Sequence, residues 1–165
     1  MEEIKGTILV VDDEESMREL LSSKLKADGY DCEVAADGNE AIWKSFMKDF
    51  DIVLLDMKMP GLSGMEVLAK IVIDHPDTSV VMLTAVIDTQ IAVEAMRQGA
   101  YDYIIKPFDL DDLDARIERA LEKRKLVLEN REYHRHLKMK IKQMAEQAQQ
   151  SRKPEPLEFT KTLVK

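Results

Sequence analysis

A three-layer α/β sandwich around a parallel five-stranded sheet is the fold class this sequence predicts, and three features carry that prediction. The charge-free runs ILVV, IVLL, VVML and YII read as strands covered on both faces, as in a parallel sheet. Helical patterns with apolar stripes alternate strictly with the strands, the order expected of βα units joined by right-handed crossovers. Each of the four runs ends on a polar residue, Asp12 with Asp13, then Asp56, Thr84 and Lys106, and parallel strands gather their carboxyl ends at one edge. The spacing agrees, because 44 residues from Asp12 to Asp56 hold two strand-helix units, while 28 from Asp56 to Thr84 and 22 from Thr84 to Lys106 hold one each.

Taken in order, strands are expected at residues 7–11, 31–35, 51–55, 79–83 and 101–105. The first helical stretch, EESMRELLSSKLKADG, groups Met17, Leu20, Leu21 and Leu25 and stops at Gly29, a suitable left-handed C-terminal residue. The second, GNEAIWKSFMKDF, groups Ala41, Ile42, Ser45 and Phe46. SGMEVLAKIVID groups Met65, Leu68, Ala69 and Val72 and ends before His75-Pro76. DTQIAVEAMRQG groups Ile91, Ala95 and Met96 and closes on Gly99. Trp43 and Tyr101 are expected to pack, the methionines to fill core and seam, and Cys32 to be a small core residue on a strand.

The last helical pattern is longer than one domain can cover. No Gly or Pro interrupts the chain from Asp109 until Pro154, so a helix is expected to run to about Gln150. Leu113, Ile117, Ala120 and Leu121 form a stripe suited to packing on the sheet. Beyond it Val127, Asn130, His134, Leu137, Ile141, Met144 and Ala148 fall on steps of three and four, a heptad seam with two polar members that suits self-pairing. Three segments follow: a domain over 1–122, a helical coiled-coil extension over 123–150, and a flexible tail over 151–165, where two prolines interrupt any period.

Charge divides the same way. Residues 1–122 carry 12 Lys+Arg against 27 Asp+Glu, and residues 123–165 carry 12 against 5, so an acidic front precedes a basic tail. So acidic a domain disfavours nucleic acid as a partner and favours a cation or a basic surface. A single cysteine excludes an internal disulfide and fits a reducing compartment. The acidic start MEEIKGTILVV is unlike a signal peptide, and VVMLTAVI is too short to span a bilayer. A cytoplasmic protein with no membrane segment is expected.

Convergence of Asp12, Asp13 and Asp56 offers hard oxygen ligands, which suit Mg²⁺ or Mn²⁺ rather than zinc. Crowded carboxylates repel, so a divalent cation or the Lys106 ammonium is needed to offset them. An aspartate so placed is also a candidate nucleophile, because carboxylates form acyl phosphates where a metal and a lysine offset charge on the transferring group. Thr84 adds a hydroxyl able to bond a phosphoryl oxygen. Each residue alone has an ordinary explanation, a helix cap or a surface charge, but capping does not explain the set.

Through VVDDEESMRELL, DIVLLDMKMPGLSGMEVL, VVMLTA and GAYDYIIKPF, covering about residues 5–122, the chain resembles the response-regulator receiver domains of two-component systems. The resemblance implies a flavodoxin-like (βα)5 fold with strand order 2-1-3-4-5. It implies that Asp56 accepts a phosphoryl group from a histidine of a sensor kinase. Asp12 and Asp13 would help hold Mg²⁺, joined by Asp56 and the backbone carbonyl of Lys58. Lys106 would pair with the phosphoryl oxygens, Lys106-Pro107 would be cis, and Thr84 with Tyr103 would form the switch pair, the output being a conformational or dimerisation change. The stretch ALEKRKLVLEN resembles the junction in regulators of the nitrogen-regulation type, where a helix joins the receiver to an ATPase acting on sigma-54 polymerase. Neither a GxxxxGK[ST] loop nor a recognition helix is present, so neither ATPase activity nor DNA binding is expected of this chain, which is either a fragment of a longer regulator or a stand-alone receiver.

Two other readings compete with the signalling module. A haloacid-dehalogenase-like phosphatase also uses a strand-end Asp, Mg²⁺ and Lys, but needs a second acid two residues after the nucleophile, where this chain has Lys58. A non-phosphorylated adaptor working through its coiled coil has no reason to keep Asp12, Asp13, Asp56, Thr84 and Lys106 together. Lys58 and Val86, two residues past Asp56 and Thr84, offer neither carboxylate nor amide to position a hydrolytic water, so slow self-dephosphorylation is expected. His134 and His136 point to different helix faces, and His75 reads as a turn residue.

Overall fold

The computed structural model describes residues 3–151. Strands β1 (Thr7–Val11), β2 (Asp31–Ala35), β3 (Ile52–Leu55), β4 (Ser79–Thr84) and β5 (Asp102–Ile105) alternate with helices α1 (Glu15–Ala27), α2 (Gly38–Met47), α3 (Gly64–Asp74), α4 (Thr89–Arg97) and α5 (Leu110–Ser151). The strands form one parallel sheet in the order β2-β1-β3-β4-β5. This is the flavodoxin-like arrangement the resemblance implied. Strand ends differ from the expected ones by a residue, as at Thr84, which closes β4.

Alternation along each strand builds two cores. Leu9, Val11, Val53, Leu55, Val80 and Met82 face Ala41, Val67, Leu68, Ile71 and Ala95 of α2, α3 and α4. Ile8, Val10, Ile52, Leu54, Val81 and Leu83 face Leu21 and Leu25 of α1 and Leu113, Ile117 and Ala120 of α5. With helices on both faces, β1, β3 and β4 are buried almost throughout, the physical reason their sequences carry no charge. Cys32 is buried on β2.

Helix faces were only partly legible. On α1, Leu21 and Leu25 are buried, but Leu20 lies about 100° round the helix from Leu21 and is half exposed. On α2 the buried residues are Gly38, Ala41 and Ser45, while Phe46 and Trp43 are exposed, against expectation. The cause is proximity, because a Cβ on Gly38 would lie 2.6 Å from Val67 Cγ2 and 2.8 Å from Leu62 Cβ. So close an approach fixes which face of α2 turns inward; Ala41 and Ser45 share that face with Gly38 at steps of three and four, and Trp43 and Phe46 do not. α3 buries Val67 and Ile71 with Leu68, leaving Met65, Ala69 and Val72 half-buried. Met96 on α4 is exposed, whereas Ala95 is buried. Tyr101 is half-buried against the second core, as expected.

Two units are distinguished along the chain, the first ending at Lys125 and the second beginning at Leu126. In the first, α5 is anchored by Arg124, whose guanidinium pairs with Asp51 at 2.9 Å and donates to the Asp77 carbonyl at 2.7 Å. In the second, every side chain from Glu129 to Ser151 is exposed, including Asn130, His134, Leu137, Ile141, Met144 and Ala148 of the heptad pattern. The tail expected at 151–165 lies outside the described residues apart from Ser151, which closes α5. Among the described residues, no helix is long and apolar enough to cross a membrane.

Candidate functional site

Strand register brings the polar residues together. Val11 is level with Leu55, and Thr84 with Ile105, so Asp12 and Asp56 emerge side by side and Lys106 emerges beside Thr84. Backbone hydrogen bonds continue just past the ladders: Asp12 N–H to the Ala35 carbonyl (3.1 Å), Asp56 N–H to Val11 (3.0 Å) and Lys106 N–H to Thr84 (2.8 Å). Gly64, at the start of α3, supports the same edge from behind. A Cβ there would come within 2.3 Å of the Asp56 carbonyl oxygen, and the Gly64 N–H donates to Met57 at 2.8 Å.

Within the cluster, carboxylate oxygens of Asp12, Asp13 and Asp56 lie within 4.8 Å of one another. Asp12 and Asp56 are buried and Asp13 is exposed. The Lys106 ammonium donates to Asp12 Oδ2 at 2.5 Å and stands 3.7 Å from Asp56 Oδ2. Asp12 Oδ1 accepts from the Glu14 N–H at 2.9 Å. Burial pushes the Asp56 carboxyl above the usual carboxylate range; Lys106 and the Lys58 N–H pull it down, while Asp12 and Asp13 push it up. Asp12 and Asp56 thus share one ammonium, with the Asp13 carboxylate beside them.

Thr84 is fully buried, its Oγ1 accepting from the Val86 N–H at 3.2 Å. Tyr103 packs half-buried against the first core and donates its hydroxyl to the Val86 carbonyl at 2.8 Å. Burial, then Asp88 and Asp56, raise its phenol pKa. Lys58 lies in the loop after β3 with its side chain exposed, and the Lys106-Pro107 peptide is cis. Three contributors were not foreseen: Gly64, through its close approach; Val86, whose backbone ties Thr84 to Tyr103; and Arg18, which donates to the Asp12 carbonyl at 2.8 Å. A glycine opening a helix just after a strand-end aspartate was a usable signal for the first. Nothing in the sequence marks the other two.

The donor set fits a hard divalent cation. Converging carboxylate oxygens without sulfur or imidazole, carrying more negative charge than one lysine offsets, are what such an ion requires.

An acid-lined site with one lysine at the carboxyl edge of a five-stranded parallel sheet points to a class of α/β signalling module, and comparison with known proteins makes the class definite. Residues 8–118 match the response regulator receiver domain, and the chain belongs to that family. Regulatory protein AtoC of Escherichia coli is 38% identical over 130 residues, which are 79% of this chain and 28% of AtoC. The DNA-binding transcriptional regulator NtrC of Salmonella typhimurium is 40% identical over 117 residues, 71% of this chain and 25% of NtrC. NtrX from Brucella abortus, solved with ADP, superposes with a TM-score of 0.72 at 39% identity, covering 75% of this chain and 29% of NtrX. The chemotaxis protein CheY4 of Vibrio cholerae gives a TM-score of 0.67 at 32% identity, covering 70% of this chain and 98% of CheY4. The expected likeness to regulators of the nitrogen-regulation type is thus present, and the chain spans about a quarter of the length of AtoC and NtrC.

Proposed function

We propose that this chain receives a phosphoryl group on Asp56 from a histidine of a sensor kinase and passes the event on as a change of conformation or association. The observation that carries this reading is the buried Asp56 carboxylate beside the Lys106 ammonium, 3.7 Å away, at a strand edge shared with the Thr84 hydroxyl. An Asp56 oxygen attacks phosphorus, the bond from phosphorus to the donor imidazole breaks, and the electron pair leaves with the imidazole nitrogen. Lys106 holds the negative oxygens of the transferring group, a preorganised charge where charge develops. Asp12, Asp13, Asp56 and the Lys58 carbonyl would hold Mg²⁺ or Mn²⁺, which when bound neutralises the carboxylates and the phosphoryl oxygens.

Val86 supplies the link outward. The Thr84 hydroxyl leaves the Val86 N–H to donate to the phosphoryl oxygen, and Tyr103, bonded to the Val86 carbonyl, turns further inward. Residues 1–122 act as the receiver and 123–150 as a coiled-coil extension pairing with a second copy. That this chain itself contacts no DNA is part of the same reading, supported by the excess of 27 Asp+Glu over 12 Lys+Arg in residues 1–122. A cytoplasmic setting is part of the same proposal.

The test is incubation with acetyl phosphate and Mg²⁺, read by intact mass, with beryllofluoride as a stable mimic. The parent protein gains one phosphoryl group and Asp56→Asn gains none. Equal labelling of both proteins rules Asp56 out as acceptor.

A further inference from the structure

Asp12 is held at all four of its polar positions. Its N–H bonds Ala35 (3.1 Å), its Oδ2 accepts from Lys106 (2.5 Å), its Oδ1 accepts from the Glu14 N–H (2.9 Å), and its carbonyl accepts from Arg18 Nη1 (2.8 Å). The last bond comes from a side chain and not from the sheet, because the pairing of β1 with β2 and β3 ends at Val11 and leaves the Asp12 carbonyl beyond the ladder. Arg18 is half-buried one turn into α1 and reaches back to it.

Asp13 is the exposed member of the acid cluster and lies in no strand or helix. Its placement depends on the two peptide units flanking it. The unit before it is gripped by Arg18 through the Asp12 carbonyl, and the unit after it by Asp12 Oδ1 through the Glu14 N–H. The N-cap residue of α1, Glu14, makes no side-chain cap of its own, so these two bonds set the turn. We infer that Arg18 is a positioning residue for the acid cluster: its bond to the Asp12 carbonyl fixes the turn that presents the Asp13 carboxylate beside Asp56. The inference rests on the proposed divalent-cation site. Arg18 bonds a carbonyl and leaves the carboxylate oxygens to the ion, and its guanidinium supplies a directed donor that an ammonium matches only loosely.

Geometry and charge predict opposite signs for its removal. Deleting a cation near three carboxylates strengthens Mg²⁺ binding if only electrostatics matter, whereas loss of positioning weakens it. Calorimetric titration of the full chain with MgCl₂ is expected to show Arg18→Ala weaker by about tenfold, the scale of lost outer-shell support, and Arg18→Lys in between. Arg116→Ala serves as control, since Arg116 bonds Asp102 at the start of β5, at the opposite edge of the sheet, and is expected to leave Mg²⁺ affinity unchanged. Equal or tighter binding by Arg18→Ala overturns the inference. Should the parent protein bind no Mg²⁺, the metal reading fails alone, and exchange of the Glu14 amide decides about Arg18: faster exchange in Arg18→Ala supports it, and an unchanged rate overturns it.

Discussion

At Asp56 the fold holds a carboxylate where burial opposes its charge, and Lys106 offsets that only in part. Because its folded pKa lies above the unfolded value, the folded state binds more protons between the two, and stability falls as pH rises through that window. In chelator at neutral pH, Asp56→Asn is therefore expected to unfold at higher urea than the parent. The gap should close as pH is lowered toward about 4, where ordinary aspartates protonate; a gap that widens on acidification contradicts the assignment. The neighbouring side chains set a second outcome. Lys58 is exposed and Val86 is engaged through its backbone, and neither side chain offers a carboxylate or amide to position a hydrolytic water, so phospho-Asp56 should persist for minutes or longer in buffer. Loss within seconds, without a phosphatase, refutes this. Asp12, Asp56, Thr84 and Lys106 were visible in the sequence because each directly follows an apolar run, and Asp13 because it adjoins Asp12. Arg18 and Val86 were not, since one acts on a carbonyl and the other through its own backbone, and neither function depends on a side-chain type that stands out.

The helix that follows β3 shows how much an element's start constrains its neighbours. Ser63 caps α3 in a reciprocal capping box with Glu66, a pattern readable from SGME. Gly64 then lets the helix start rest directly on the Asp56–Met57 backbone. Gly64→Ala puts a methyl group into that backbone and is expected to cost about 2–3 kcal/mol, the scale of overpacking, measured as a lower urea midpoint with unchanged slope. A variant as stable as the parent would show that the loop before α3 yields freely. The central strands β1, β3 and β4 were legible because burial on both faces removes every charge, while the edge strands β2 and β5 keep Asp31, Glu33 and Asp102. Helix faces were less legible, since hydrophobicity ranks Phe46 above Ser45, whereas Ser45 shares the inward face with Gly38, which is pressed on Val67 and Leu62, and Phe46 lies about 100° round the helix.

At the scale of the whole chain, the second unit is a helix with exposed apolar side chains. From Glu129 to Ser151 all side chains are exposed, Leu137, Ile141 and Met144 among them, and a helix with so many unburied apolar residues is suited to pairing. Ile141→Asp is expected to shift the chain from dimer to monomer in light-scattering chromatography while leaving labelling of Asp56 intact. A mass that does not change with the substitution removes the seam as the dimer contact. Comparing masses with and without beryllofluoride then shows whether phosphorylation makes or breaks the pair.

Alternating apolar and amphipathic segments, and the polar residues that close four of the runs, were enough to predict a parallel α/β sandwich and five candidate side chains, because burial and strand-end position leave a local imprint on residue type, while the strand order came from the family resemblance. Distances belong to the folded chain alone: that Lys106 sits on Asp12 more closely than on Asp56, that Gly64 touches the Asp56 backbone, and that Arg18 holds the turn carrying Asp13. Those contacts join residues brought together by packing and register, and such pairings write no periodic signal into a single sequence.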